Sequence, residues 1–345
     1  MKVTFKKINF DRITIKKLKS KVIRLRVTWF YGKRFYNLMY VSGWHGMLIN
    51  AKETGHENYF TAIPNRGAGI GHQMANWIAG YWFAKKLQLN FTHIPFSTPE
   101  WESFLGFGSE EVLESDLSKG QGYKRVKLPL FDESKENEVK VIKGIVSSYS
   151  GKKVIFIAEQ DQFYKDQFGV IDDIKNKYHR ASVRLNDDFI FSKNTFNIAI
   201  HVRRGDIVVG QDDNNQNLTM RWQNNDYFVN VLSSVIKNLK TKRPISIYLF
   251  SQGEIKDFSE FEKFKNINFC LDMGAKNTFA HMVEADLLIT SKSSFSYKPA
   301  LLSNGIKVCP KVFWHGYPND KNWILADDDG CLDVNALNQL CITQE

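Results

Sequence analysis

Six consecutive residues carry the most readable chemistry in this chain: His201, Val202, Arg203, Arg204, Gly205 and Asp206. Two adjacent guanidinium groups suit a cluster of anionic oxygens, because the planar fork makes paired, charge-assisted hydrogen bonds to phosphate. Gly205 lets the backbone approach a ligand closely, and Asp206 either orients an arginine or draws off a substrate proton. A surface ion pair is the plain alternative, and a bare Arg-Arg-x-Asp would fit it. The full hexad, standing behind an apolar run, points instead to a diphosphate site. A second cluster, Ser291 to Ser296, holds four serines in six residues. That exceeds the single hydroxyl a helix cap needs, so phosphate contact is expected there. Ser251, Gln252 and Gly253 form a smaller polar group. In the first half, Gly67, Gly69 and Gly71 alternate and run into His72 and Gln73. The dinucleotide fingerprint is G-x-G-x-x-G, which this spacing does not match. The loop and the helix after it still offer N–H groups to an anion, and His72 and Gln73 add side-chain donors.

The elements that must position these groups can be read from hydrophobic runs. Residues 196–202 form a short apolar strand that ends at the hexad. Further strands are expected at 245–250, 267–271, 287–290 and 306–308. Helices fall between them at 226–239, 258–264, 278–284 and 297–302. Strands separated by helices imply a parallel sheet of the Rossmann type. In such a sheet ligands bind outside the carboxyl ends of the strands, so polar ends near 201, 251 and 291 describe one nucleotide pocket. The first half predicts a strand at 59–63, a helix from Met74 to about Leu89, and strands at 89–94 and 154–158. The stretch 96–108 reads as loop, 109–140 as a charged insertion, and 161–192 as mixed helix and connection.

With 345 residues, 43% of them apolar, the chain can bury two α/β cores. The expected division is an N-terminal arm over 1–45, an acceptor-side α/β domain over 46–192, and a nucleotide-sugar domain over 193–345. A net charge of +10 directs the protein to polyanions. Basic residues from Lys2 to Arg34 face a single acid, Asp11, and apolar residues are interleaved among them. The arm reads as an interfacial helix on anionic lipid or as a solvated basic segment. It lacks the apolar run of a transmembrane helix or a secretory signal. Nucleic acid is disfavoured as a partner, because the cations gather at one terminus and no reader motif is present. The 4 cysteines show no C-x-x-C spacing and read as reduced thiols of a cytoplasmic protein, peripheral on the membrane face if the arm binds lipid. Asp187-Asp188 and Asp327-Asp328-Asp329 sit beside Asn or Gly and read as solvated turns, so no metal site is expected.

The segments H-V-R-R-G-D at 201–206, I-Y-L-F-S-Q at 247–252 and A-D-L-L-I-T-S-K-S-S-F-S at 285–296 resemble, in order, three motifs of the α1,2/α1,6-fucosyltransferase superfamily. The G-A-G-I-G-H-Q stretch at 67–73 is similar to the glycine loop of that superfamily's first domain. The resemblance spans roughly residues 59–310, and within it 95–195 match nothing. It implies a GT-B fold, in which two Rossmann-like domains face a donor cleft. It also implies a glycosyltransferase that moves fucose from GDP-fucose to a glycan hydroxyl, inverting the anomeric centre without a metal. The acceptor would be a surface polysaccharide or a lipid-linked oligosaccharide. By the same resemblance Arg203 holds the diphosphate, His201 and Arg204 assist it, Ser293 and Ser294 touch phosphate or ribose, and Gly69 and Gly71 line the donor from the opposite domain. Two departures stand out. Gln211 occupies the neighbourhood of the α1,6 branch's glutamate base, with Asp212 and Asp213 beside it, and Ile207 replaces a lysine. The proton acceptor is then Asp206 or an acid such as Asp212. A transferase of another GDP-sugar, or a binder that kept the fold and lost the base, are the alternative readings.

Overall fold

A computed structural model describes residues 57–129, 131–157, 167–186, 188–208 and 220–343. The expected basic arm, Gln211, Asp212, Asp213 and Asp187 lie outside the described residues.

The first unit opens with strand β1 (Tyr59–Thr61) and helix α1 (Ile70–Leu87). It continues through β2 (Asn90–His93), α2 (Pro99–Leu105), β3 (Val112–Leu113), β4 (Lys124–Lys127), α3 (Glu136–Ser147), β5 (Val154–Ile157) and α4 (Ile171–Arg180). Its five strands are all parallel, in the order β3-β2-β1-β5-β4. Two expectations are corrected here. The stretch read as loop contains α2, which has a proline in its first turn and Glu100 and Glu102 against its N-terminal dipole. The stretch read as an insertion supplies both edge strands of the sheet. Those strands, Val112–Leu113 and Lys124–Lys127, are mostly exposed and carry no apolar alternation.

The second unit alternates strands and helices except between β7 and β8 and between β10 and β11. It runs β6 (Phe196–His201), α5 (Asn225–Asn238), β7 (Ile245–Ser251), β8 (Ile267–Leu271), α6 (Ala275–Glu284), β9 (Leu287–Ile289), α7 (Ser294–Leu302), β10 (Ile306–Pro310), β11 (Trp323–Ala326) and α8 (Val334–Thr343). The segment expected as a helix at 258–264 is instead a 3₁₀ stretch, Ile255–Phe261. All six strands are parallel, ordered β11-β10-β9-β6-β7-β8. The chain thus starts in the middle at β6, builds outward through β7 and β8, then returns to the other side of β6 with β9. Where neighbouring strands send their connections in opposite directions, a crevice opens beyond their carboxyl ends. In this sheet that place is the β6/β9 junction, where Ile198 and Ile200 pair with Leu287 and Ile289.

Burial follows from the sequence. Every residue of β6 is buried, as a strand covered on both faces requires. A core of Phe196, Ile198, Phe228, Leu232 and Ile247 packs α5 under this sheet. The other face binds the two units together: Phe279 of α6 and Tyr297 and Leu301 of α7 belong to the same buried cluster as Trp77 and Phe104 of the first unit. Two facing Rossmann-like units result, the plan that the motif resemblance implies.

Candidate functional site

One pocket of about 520 Å³ lies where the units meet. It takes its walls from four strand ends and the glycine loop. From β6 come His201, Arg203, Arg204 and Asp206, and from β7 Ser251 and Gln252. The segment after β9 gives Ser294 and Phe295, and the first unit gives Gly69, Gly71 and His72. Four groups of residues that the sequence singled out are thus brought together.

The β6 end is held across the crevice by hydrogen bonds. The His201 Nδ1 and the Ser291 hydroxyl lie 2.8 Å apart, and Arg203 Nη1 donates to Ser293 Oγ at 3.0 Å. Arg203 Nη2 donates to both Asp206 oxygens, at 3.0 and 2.7 Å. Asp206 is well exposed, so this ion pair sits at the pocket mouth rather than in a buried lock. His201 is buried, and burial first, then the charges of Arg203 and Arg204, push its pKa down from 6.5 to about 3. It is therefore a neutral imidazole at physiological pH, a hydrogen-bonding wall and not a third cation.

Not every residue expected at the site faces the pocket. Ser293 is buried, and its hydroxyl accepts from Phe295 N and from Arg203, so it stands behind the arginine. Gln73 is turned the other way, donating to Ala68 O at 2.8 Å and Ser97 Oγ at 2.7 Å and accepting from Ser97 N. It braces the glycine loop. Arg204 lines the pocket with a guanidinium already engaged. It stacks 4.1 Å from the Trp222 ring centroid and donates to Arg203 O and Asn225 Oδ1. Burial lowers its pKa to about 10, which leaves it charged at neutral pH. Ser251 donates to Val202 O and ties β7 to the hexad.

Two contributors escaped the sequence reading. Arg221 lines the same pocket, and its pKa is lowered by burial and then by the positive charge of Arg203. Two guanidinium groups thus line one pocket, with the Asp206 carboxylate acting against the repulsion between them. The Nε of each is buried and has no hydrogen-bond partner among the described residues. Its only signal was a lone arginine between Met220 and Trp222 in a polar stretch. The second contributor is the turn after β8, where Asp272 (φ 52°), Met273 and Gly274 (φ 92°) lead into α6 and line the pocket. A strand end followed by Asp and Gly was the available signal.

Helices complete the electrostatics. The N-termini of α1, α6 and α7 all meet this pocket, through Gly69 and Ile70, Gly274 and Ala275, and Ser294. A helix N-terminus carries positive potential and free N–H groups, and acids normally occupy its first turn. The first turns of α2, α3, α4 and α5 do hold Asp or Glu. Those of α1, α6 and α7 hold none. A helix end with no acid in its first turn is free to take an anion. Among the described residues no cluster of His, Cys, Asp or Glu is arranged to hold a metal ion, and no helix is long and apolar enough to cross a membrane.

Comparison with known proteins yields likenesses to solved structures only. No family model and no curated protein matches the chain. Fucosyltransferase NodZ from Bradyrhizobium aligns at 11% identity and TM-score 0.46, covering 81% of this chain and 98% of that one. An Arabidopsis thaliana FUT1 mutant in complex with GDP aligns at 13% identity and TM-score 0.41, covering 88% and 80%. POFUT1 in complex with GDP aligns at 11% identity and TM-score 0.41, covering 73% and 98%. What the pocket holds is therefore argued from its own side chains.

Proposed function

We propose that the chain is an inverting glycosyltransferase that uses a GDP-sugar, with fucose as the sugar, and that the interdomain pocket is its donor site. The observation that carries this reading is the pair Arg203 and Arg221, two cations lining one pocket under three acid-free helix ends. A diphosphate answers both. It adds negative charge between the cations and offers oxygens to guanidinium and helix N–H donors. Asp272, across the same pocket, suits guanine: that base presents adjacent N–H donors to a carboxylate, whereas uracil and adenine do not. The motif resemblance supplies fucose.

In the reaction an acceptor hydroxyl attacks the anomeric carbon from the face opposite the diphosphate. The carbon–oxygen bond to the β-phosphate breaks, and GDP leaves with the bonding electrons. Negative charge grows on the leaving oxygens. Arg203 and Arg221 both line the pocket, and Arg203 is held in place by Ser293 and Asp206, so guanidinium groups do the work a divalent cation does in other transferases. The hydroxyl proton passes to a carboxylate, Asp206 at the pocket mouth or Asp212 beyond the described residues. Asp206 also fixes the Arg203 fork through its two hydrogen bonds.

A thermal-shift panel of GDP, UDP, CDP and ADP, followed by GDP-fucose turnover in excess EDTA, tests the proposal. A ligand that binds only the folded state raises the melting temperature with its concentration. GDP is expected to stabilise most, and turnover to survive the chelator. Equal shifts from all four diphosphates would remove the guanine assignment. Loss of turnover in EDTA would remove the metal-free mechanism.

A further inference from the structure

Two more cavities continue from the donor pocket along the second unit, and donor binding gives neither a role. The first, about 670 Å³, shares Arg204 and Gln252 with the donor pocket. The second, about 440 Å³, shares Trp222, Asn224 and Asp226 with the first. The three therefore lie in series. Cavities that hold small organic ligands begin at roughly 300 Å³, so each has room for an occupant of its own. The wall between donor pocket and first cavity is the Gln252 amide. It rests on Gly205 (φ 65°), where any Cβ would collide with Gln252 Oε1.

Trp222 stands at the junction of the two cavities, half-buried. Arg204 covers it at 4.1 Å from the ring centroid, and its Nε1 donates to Asn224 Oδ1 at 2.7 Å. The indole is fixed in one orientation before any ligand arrives. Around it stand carboxylates: Asp226, Asp257 and Glu260 in the first cavity, Asp328 and Asp329 in the second. The cations opposing them are Arg204 and Lys292, and Lys292 is paired with Asp328 at 3.0 Å. This path is acidic in a chain whose net charge is +10. An immobile aromatic ring takes the apolar C–H face of a sugar, and carboxylates and amides accept its hydroxyls.

We propose that the two cavities form an acceptor track for an oligosaccharide free of acidic groups, on the second unit rather than on the stretch 46–192 that the sequence suggested. The accepting unit lies against Gln252 and further units run over Trp222 into the second cavity. The inference rests on the donor reading only for the direction of the saccharide, its reactive end toward Arg203. Its chemistry comes from the track itself, where like charge would repel a uronate or phosphate-bearing glycan.

Calorimetric titration of the full chain with three tetrasaccharides tests it: cellotetraose (neutral), the β1,4-glucosamine tetramer (cationic) and tetragalacturonate (anionic), with GDP titrated separately. Cellotetraose and the glucosamine tetramer are expected to bind, and tetragalacturonate about tenfold more weakly than either. Cellobiose is expected to bind more weakly than cellotetraose, because it leaves one cavity empty. Trp222→Ala should weaken the two favoured tetramers about tenfold. Asp226→Lys reverses a charge shared by both cavities and should shift preference toward tetragalacturonate, a gain that a merely damaged protein would not show. If the ranking holds while GDP fails to bind, the donor reading falls and the track stands. The track is overturned if GDP binds and no tetrasaccharide does. It is also overturned if tetragalacturonate matches cellotetraose, or if Asp226→Lys leaves the ranking unchanged.

Discussion

On the proposed reading Arg203 and Arg221 act on one anion, and their losses should differ in kind. Arg203 is tied to Ser293 and Asp206, so it arrives pre-oriented. Arg203→Ala removes an organised donor and should lower kcat by about 10²–10³-fold, the range for a single oxyanion donor. Arg221→Ala is expected to raise the Kd for GDP while easing the repulsion on Arg203, so its apo melting temperature should hold or rise. Thermal melts with and without GDP separate the two. His201 makes a pH prediction. Its pKa is about 3 folded and 6.5 unfolded, so between those values the unfolded chain binds more protons. Stability from this residue is fully present above pH 6.5 and is lost as pH falls toward 3. A His201→Gln variant should show a shallower fall in melting temperature between pH 6.5 and 4.5 than the parent. An unchanged slope would place the acid sensitivity elsewhere. The hexad announced Arg203 because two arginines and an aspartate stand together where an apolar run ends. Arg221 was illegible because its proximity to Arg203 is a product of the tertiary fold.

At Gly71 helix α1 comes directly against the backbone of α7. A Cβ on Gly71 would stand 2.9 Å from the carbonyl carbon and oxygen of Ser294, so the backbones touch. Gly71→Ala must force them apart, and the shift should cost about 1–3 kcal/mol and weaken GDP binding. Gly69 is the control: a Cβ there meets nothing within 4 Å. Gly69→Ala should keep the parent melting temperature, since φ is −61° and alanine tolerates it. Elements of the second unit were readable because strands buried on both faces appear as unbroken apolar runs, as in Phe196–His201. The first unit hid its edges. Lys124–Lys127 pairs only with β5 and faces solvent, so its sequence, Lys-Arg-Val-Lys, has no strand periodicity to detect. Helix α2 was concealed by its own start signal, since Pro99 reads as loop until its place in the first turn is seen. The serines after β9 were legible as a cluster, yet the partition of tasks among them was not. Ser291 steadies His201, Ser293 steadies Arg203, and Ser294 faces the pocket.

At the scale of the whole molecule the two sheets share a core. Phe279, Tyr297 and Leu301 belong to the second unit by sequence and to the first unit's hydrophobic cluster by contact. Residues 193–345 made alone would expose that face, and an apolar patch of this kind drives association. The fragment is expected to run as aggregate on size exclusion where the full chain runs as a single species. The full chain should melt in one calorimetric transition that GDP moves intact, because the pocket draws on both units. The contact between Gly71 and Ser294 has one more consequence. It sets main chain against main chain where the two units meet, with no side-chain end there to yield. Any opening of the cleft is therefore expected to pivot about this point, with the widest motion at the rim near Asp206 and the least at the Gly71–Ser294 contact.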